Sequence, residues 1–341
     1  MLMTKKVYII ILNWNGWCDT IECLESVLKL NYPDFTVVVC DNGSANGSVD
    51  KIKAWAQGEQ LAGLGQDELV KNKVLPYVKK PLPFVEINSS NLTQAVHTHT
   101  AKLIILRSEE NLGFAGGNNL GLQYAMQQDD CNYIWLLNND TVVDQEALQE
   151  LVKCADQDTK VICGSKILYY FEPERIQALG NSFNKFFGTS KFVTEEADLS
   201  AIDFLVGASL LIPKDIFIDT GLLSEDYFLY YEEADLWQKV KGKCKFACAL
   251  KSLVYHKEGA AVGANNRNKG CKSLLGDFYG IRSRLLFMKK YFPFYLPTVY
   301  LGLLFTIFNR FRRHQYDRVK MVIQLMLRPS LTFDEYLHKK N

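Results

Sequence analysis

Short apolar runs and helically spaced segments alternate through the first 155 residues. Val7–Leu12 is an unbroken apolar run closed by Asn13, the pattern of a strand buried on both faces. Asp19 caps a helix running to about Leu30, which Asn31-Tyr32-Pro33 ends. Phe35–Asp41 is a second continuous, β-branched strand, and the turn cluster Asn42–Ser48 leads into a helix to about Gln57. The strand Lys102–Arg107, a helix over about Asn118–Gln128, the strand Tyr133–Leu137 and a helix over Asp144–Ala155 continue the rhythm. Such alternation predicts an α/β domain with a mostly parallel sheet flanked by helices.

Two stretches depart from this. Residues 58–101, with Gly, Pro, Asn and Thr and little periodicity, read as an insertion, because a compact core rarely needs so long a loop. Residues from about 160 to 265 are mixed, with strands at Leu205–Ile212, Lys245–Ala249 and Leu253–His256 and a helix around Glu233–Lys241. Further on, the apolar run Tyr291–Phe308 is broken by Pro293 and Pro297, and Arg310, Arg312, Arg313 and His314 follow it. A bilayer span needs about 20 uninterrupted apolar residues. Two readings stand: a buried helix packed on the main domain, or an interfacial segment with its arginines on anionic head groups.

Charge sharpens the choice. The chain has 341 residues, 39 basic and 38 acidic, for a net charge of +1. Residues 267–341 hold 15 Lys or Arg against 4 Asp or Glu, a net of +11, which leaves −10 on residues 1–266. An acidic body and a basic tail face different partners. We therefore divide the chain into a main domain, 1–266, and a basic, apolar helical tail, 267–341, that associates with membrane. The tail's charges flank an aromatic apolar run, which suits anionic lipid and not nucleic acid. Nine cysteines without a Cys-x-x-Cys spacing read as reduced thiols. The six apolar residues after Lys6 are too few for a signal segment. The expected location is cytoplasmic, peripheral on the inner face of the cell membrane.

Open parallel sheets bind ligands beyond the carboxyl ends of their strands. Those ends here read Asn13-Trp14-Asn15-Gly16, Asp41-Asn42-Gly43-Ser44 and Asn138-Asn139-Asp140. Asn111–Asn119 reads as a glycine-rich loop entering a helix, with Gly116, Gly117 and Asn118 where a backbone approaches a phosphate. A dinucleotide fold would carry Gly-x-Gly-x-x-Gly after the first strand, and Asn-Trp-Asn-Gly excludes it.

Together with Gly207-Ala208-Ser209, Tyr230–Leu236, Tyr255–Gly259 and Tyr279–Arg284, the set resembles glycosyltransferase family 2, the inverting nucleotide-sugar enzymes of GT-A fold. More narrowly, it is similar to the rhamnosyltransferase-like bacterial group that builds surface polysaccharides. The resemblance implies a nucleotide-binding sheet, a mixed acceptor-binding half and a helical C-terminal tail. It implies that Asn13, Asn15 and Asp41 hold the nucleoside and that Asn138 and Asn139 lie near the donor. The family's Asp-x-Asp is here Asn138-Asn139-Asp140, so Asp140 is the carboxylate for Mg²⁺ or Mn²⁺, with His256 as the late histidine. Glu233 falls on the base position of the family's Glu-Asp-x-Asp-Leu, one methylene longer than the usual Asp. Glu232 adjoins it, and Asp235 follows as a helix cap or acceptor-orienting group. Gly207 lies on the small-residue strand that admits the acceptor. Arg282 and Arg284 fall on an Arg-Asn-x pattern, with Ser283 for Asn, and either meet a phosphate or belong to the basic surface.

The implied function is inverting, metal-assisted transfer from a dTDP-, UDP- or GDP-sugar to a lipid-linked saccharide. The alternative is an inactive glycan- or membrane-binding scaffold of the same fold, raised by the thinned metal motif and by Glu233. Nucleotidyl transfer ranks third, because residues 13–20 contain no Lys or Arg.

Overall fold

The computed structural model describes residues 4–94, 101–257 and 273–338. β1 (Lys6–Asn13), α1 (Trp17–Val27), β2 (Phe35–Asn42) and α2 (Ser48–Gln57) follow the expected order. Residues 58–101 differ from the expected featureless insertion. They hold α3 (Glu68–Val74) and β3 (Phe84–Asn88), a parallel edge strand on β4 (Leu103–Ser108). Elements this short show no period in sequence. Buried carboxylates on α1 fix the stretch instead. Glu25 accepts from Trp55 Nε1, the Val78 backbone and Lys80, and Glu22 accepts from the Gly65 backbone.

Next come α4 (Gly113–Met126), β5 (Cys131–Asn138), β6 (Thr141–Val143), α5 (Ala147–Ala155), β7 (Val161–Tyr169) and β8 (Glu172–Ala178). A hairpin of β9 (Gly180–Asn184) and β10 (Thr189–Val193) precedes β11 (Ser209–Pro213), α6 (Lys214–Thr220), α7 (Glu232–Val240) and β12 (Lys245–His256). The two strands expected near the end of this region are one, with a register irregularity between Ala249 and Leu253. The main sheet runs β3-β4-β2-β1-β5-β11-β7-β12-β6, with β8 on β7. It is parallel from β3 to β5, and the antiparallel β11 makes it mixed. Strand side chains alternate between two cores. Ile9, Ile11, Val37 and Val39 share one with Leu24, Trp55 and Leu148, while Ile10, Val38 and Cys40 share the other with Leu122, Ala125 and Phe217.

The tail comprises α8 (Leu274–Tyr291), α9 (Leu296–Arg312), α10 (Tyr316–Leu327) and α11 (Phe333–His338). Phe278, Leu285, Phe287 and Met288 of α8 form a third core with Phe204, Tyr227, Ala234 and Trp237. Much of Tyr291–Phe308 forms α9, which packs Val299 and Leu303 on the body as a buried helix would and leaves its opposite side exposed. Part of the tail's charge works internally: Asp277 pairs with Arg310 and Arg318, each at 2.6 Å, and Lys290 reaches Asp235 at 2.8 Å. The expected boundary at 266/267 lies outside the described residues, as do Glu258 and Gly259. Among the described residues no helix is long and apolar enough to cross a membrane.

Candidate functional site

The parallel register sets Asn13 beside Asp41 at the carboxyl ends of β1 and β2, and both side chains are buried. Asn13 Nδ2 donates to Asp41 Oδ2 at 2.6 Å, and Asn13 Oδ1 accepts from Thr20 Oγ1 at 2.8 Å. Asn13 therefore orients Asp41 and has little capacity left for a ligand. The Ser44 backbone N–H donates to the other Asp41 oxygen at 3.1 Å. Asn15, at φ 54°, fastens the same turn: its N–H donates to Ser44 Oγ and its Oδ1 accepts from the Ala45 N–H. Asp41 and Ser44 line a cleft of about 510 Å³ with Asn88, Arg107 and Glu109. Arg107 lies across the β2–β4 register from Asp41 and is exposed. Asn88 and Arg107 escaped the sequence reading, although each is a polar residue at the carboxyl end of a parallel strand.

The glycine-rich segment is corrected by the structure. The helix starts at Gly113 and not near Asn118, so Gly116, Gly117 and Asn118 are helical and buried. A Cβ at Gly117 would overlap Leu12, and one at Gly121 would come within 2.5 Å of Ile10, so these glycines let α4 lie close on the sheet. Asn118 Nδ2 donates back to the Phe114 carbonyl at 2.9 Å. Gly113, at φ 75°, is where a glycine is required, because a Cβ there would meet the Phe228 carbonyl at 2.5 Å. Asn42, also missed, anchors this turn by donating to the Gly113 carbonyl and accepting from the Leu112 N–H.

At the end of β5, Asn139 Nδ2 donates inward to Thr20 Oγ1 at 3.0 Å. Asp140 Oδ1 lies 3.2 Å from His256 Nε2, and His256 Nδ1 lies 2.8 Å from Gln177 Oε1. Gln177 thus fixes the imidazole with Nε2 toward Asp140, the outer-shell support that a metal-ligating histidine needs. No local sequence signal marks Gln177, which arrives on β8. Among the described residues no group of three or more His, Cys, Asp and Glu is placed to hold a metal. A two-residue set still fits Mg²⁺ or Mn²⁺, which bind through one or two side chains and complete their shells with substrate phosphate and water. Next door, Lys257 Nζ reaches Asp19 at 2.5 Å and Glu22 at 2.6 Å, tying the end of β12 to α1. Burial alone would lower this ammonium's pKa, but the carboxylates of Glu22 and Asp19 hold it above the usual lysine value.

The opposite edge is a strained turn. Phe228, Tyr230 and Tyr231 take left-handed φ values of 64°, 67° and 74° immediately before α7. Such residues cost on the order of 1–3 kcal/mol each and persist only where the surroundings over-determine them. Here α8 supplies the restraint. Ser283 Oγ donates to the Leu229 carbonyl at 2.8 Å, Arg282 Nη1 to the Asp226 carbonyl at 2.8 Å, and the Phe228 ring stacks on Tyr279 at 4.6 Å. The Tyr231 hydroxyl donates to the Gly188 carbonyl of the hairpin tip.

This turn separates the three candidate carboxylates. Glu232 points inward and is buried; burial and the neighbouring Glu233 charge push its carboxyl well above the usual range. Glu233 is half-buried, raised by burial, and its carboxyl carbon stands 3.8 Å from the position of a Cβ on Gly207. The Ala208 carbonyl accepts from the Asn138 N–H at 3.0 Å, so Gly207-Ala208 bridges Glu233 to the end of β5. Asp235 is neither cap nor acceptor-orienting group. It is fully buried and accepts from Tyr227 Oη at 2.9 Å and from Lys290 Nζ and Tyr291 Oη at 2.8 Å. Burial alone would raise it, but the Lys290, Tyr291 and Tyr227 bonds hold it below the ordinary aspartate value. Arg282 is likewise tied to the fold, its Nε donating to the Leu331 carbonyl and its Nη1 to the Asp226 carbonyl. Arg284 differs: among the described residues its Nε is sealed from solvent without a hydrogen-bond partner.

A family model described as Glycosyl transferase family 2 matches residues 8–72 and 85–220, more than half of the chain. The chain belongs to glycosyl transferase family 2. The break in the match, 73–84, covers only part of the stretch expected as an insertion, and Glu233, His256 and the tail lie beyond its end. Over 149 residues this family 2 chain is 25% identical to the low-salt glycan biosynthesis hexosyltransferase Agl10 of Haloferax volcanii. That match spans 41% of this chain and 48% of Agl10, about half the relative's length. Among solved structures, GalNAc-T7 with UDP, GalNAc and Mn²⁺ aligns over 75% of this chain and 44% of its own, at 13% identity and a TM-score of 0.50. TarS of S. aureus aligns over 82% and 39%, at 13% identity and a TM-score of 0.45. The GalNAc-T7 likeness shows the shared GT-A-like α/β fold, a mixed sheet flanked by helices.

Proposed function

We propose that this family 2 chain transfers a sugar, with inversion, from a dTDP-, UDP- or GDP-sugar to a lipid-linked saccharide in cell-surface polysaccharide synthesis, in the manner of the rhamnosyltransferase-like group. The observation that carries the reading is Glu233: a raised, half-buried carboxyl facing Gly207, one residue from the carbonyl that ties to the β5 end. Glu233 takes the acceptor hydroxyl's proton as that oxygen attacks the anomeric carbon, and the electrons of the breaking C–O bond leave on the nucleoside diphosphate. A base raised toward neutrality is better matched to that transfer than an ordinary glutamate. The missing side chain at Gly207 leaves the acceptor its room.

On the donor side, Asp41 and Arg107 offer an acceptor and a donor to the nucleoside in the strand-end cleft. Asp140 and His256 are the residues that would hold Mg²⁺ or Mn²⁺, whose chemistry when bound is to neutralise the diphosphate. Arg284, on the family's Arg-Asn-x pattern, is the group we assign to the acceptor's phosphate. We place the enzyme peripherally on the cytoplasmic, anionic face of the membrane, held by the tail 267–341. The similarity to Agl10, a low-salt glycan biosynthesis hexosyltransferase, supports a saccharide acceptor. The test is release of nucleoside diphosphate from a panel of nucleotide sugars with Mn²⁺ present. Release from one donor, lost in Glu233→Gln while that variant still binds the diphosphate, is the expected result. A Glu233→Gln enzyme of full activity would overturn the base assignment.

A further inference from the structure

The outward side of α9 carries Leu301, Leu304, Phe305, Phe308 and Phe311, following Phe294 at the head of the helix. Their spacing of three and four residues draws one apolar stripe opposite the buried Val299 and Leu303. Phe294 is 94% exposed, Phe305 66% and Leu301 63%. Thr298 and Gly302 border the stripe, and on them sits the tip of the β9–β10 hairpin. Thr298 Oγ1 donates to the Phe186 carbonyl, the Phe186 and Tyr295 rings meet edge to face at 5.0 Å, and a Cβ on Gly302 would touch Phe187 at 3.3 Å. Phe186 and Phe187 are themselves half exposed, so the apolar surface runs unbroken from the tail onto the catalytic body.

We infer that this hairpin tip and the outer side of α9 form one seat for the surface of an anionic phospholipid bilayer, and that the hairpin thereby fixes the catalytic turn relative to the membrane. The inference deepens the proposed membrane placement, which assigned the contact to the tail alone. Charge chooses the occupant. No Asp or Glu occurs from Phe278 to Tyr316 or from Gly180 to Val193. Arg312, Arg313 and Lys185 are exposed around the stripe, and Lys185 and Lys191 line a groove of about 480 Å³ along the hairpin. An apolar stripe rimmed by cations, on a helix that does not span, is the pattern of a segment lying in the interface. The hairpin passes this seating to the site through the Gly188 carbonyl, which accepts from Tyr231 immediately before Glu232 and Glu233.

The full chain should float with vesicles of phosphatidylglycerol and phosphatidylcholine, and bind pure phosphatidylcholine at least about tenfold more weakly. Phe186→Ser with Phe187→Ser should weaken flotation about tenfold, comparably to Leu301→Ser with Phe305→Ser. Hydrogen exchange on the unaltered chain should show residues 180–193 slowed by anionic vesicles. A hairpin variant that floats like the parent, with no slowing at 180–193, would overturn the shared seat and leave the tail alone. Failure of the parent to float would overturn it outright. So would a parent dimer that the two double variants dissolve, because the stripe would then seat a second copy. Nucleotide release in vesicle-free buffer is measured alongside: its absence with flotation intact counts against the transferase reading and leaves the seat standing.

Discussion

The two edges of the candidate site are held in opposite ways. At the strand ends, Asn13, Thr20, Asp41, Ser44 and Asn139 bind one another, and the backbone beneath them is ordinary parallel sheet. Before α7 the backbone carries three left-handed aromatic residues, and the two carboxyls it presents are raised by burial. The first edge is pre-formed by its own strand-end side chains, brought together by the parallel sheet from positions as far apart as Thr20 and Asn139. The second is held in a costly conformation by α8 and by the hairpin, from far along the chain. On the proposed reading, donor recognition rests on a rigid sheet, and a base raised by burial needs its water taken away. The tail therefore does more than extend the chain: through α8 it clamps the turn before α7.

The sharpest way to separate the edges is Glu233→Gln. Its kcat should fall by about 10²–10⁴ while the affinity for nucleoside diphosphate stays unchanged, because the strand-end cleft does not depend on it. In the parent enzyme, kcat should rise with pH through a pKa above that of free glutamate, since the base acts ionised and burial favours its neutral form. A pH–rate limb at or below the usual glutamate value would mean that the turn does not tune the base. Asp235→Asn comes next. It removes the acceptor shared by Lys290, Tyr227 and Tyr291, and should cost about 3 kcal/mol, seen as a lower midpoint in urea. A purely local helix cap would lose closer to 1 kcal/mol. Asn13→Ala should weaken nucleoside diphosphate about tenfold by calorimetry with little change in kcat, because Asp41 loses the group that aims it.

How far each edge could be read from sequence follows the same division. The strands β1, β2, β4 and β5 are covered on both sides, so their apolar runs are unbroken and their polar ends stand out. Asp41 stood out as a candidate for that reason, whereas Asp140 and His256 were singled out for a metal only by the family pattern. The glycines of α4 were misread because a phosphate loop and a helix packed close on a sheet use the same residue for the same reason, a missing Cβ. Only the family pattern set Glu233 apart from Asp235 in the sequence; the turn aims one at Gly207 and buries the other against Lys290. Gln177, Asn88 and the hairpin are joined to the site by contacts distant in sequence, which no local pattern encodes. The charge asymmetry survives in reduced form: Arg282, Lys290, Arg310 and Arg318 serve the fold, and Arg312 and Arg313 remain for the surface.

The smallest expected effect tests the strained edge most directly. Glu232 has a folded pKa raised by burial and by Glu233, above the value of about 4.3 that an unfolded glutamate has. The folded chain therefore holds that proton more tightly than the unfolded one. The stability this confers is full below the unfolded pKa and is lost as pH rises through the folded pKa. Gln cannot ionise and fills nearly the same space, so Glu232→Gln should match the parent near pH 4 and exceed it at pH 8, seen as a higher Tm. Some slope remains in the variant, because Glu233 is raised as well, and Glu232→Gln with Glu233→Gln should flatten it further. Parallel Tm curves for parent and Glu232→Gln between pH 4 and pH 8 would show that water reaches Glu232. The α7 edge would then be built like the strand ends, and the contrast between the two would collapse.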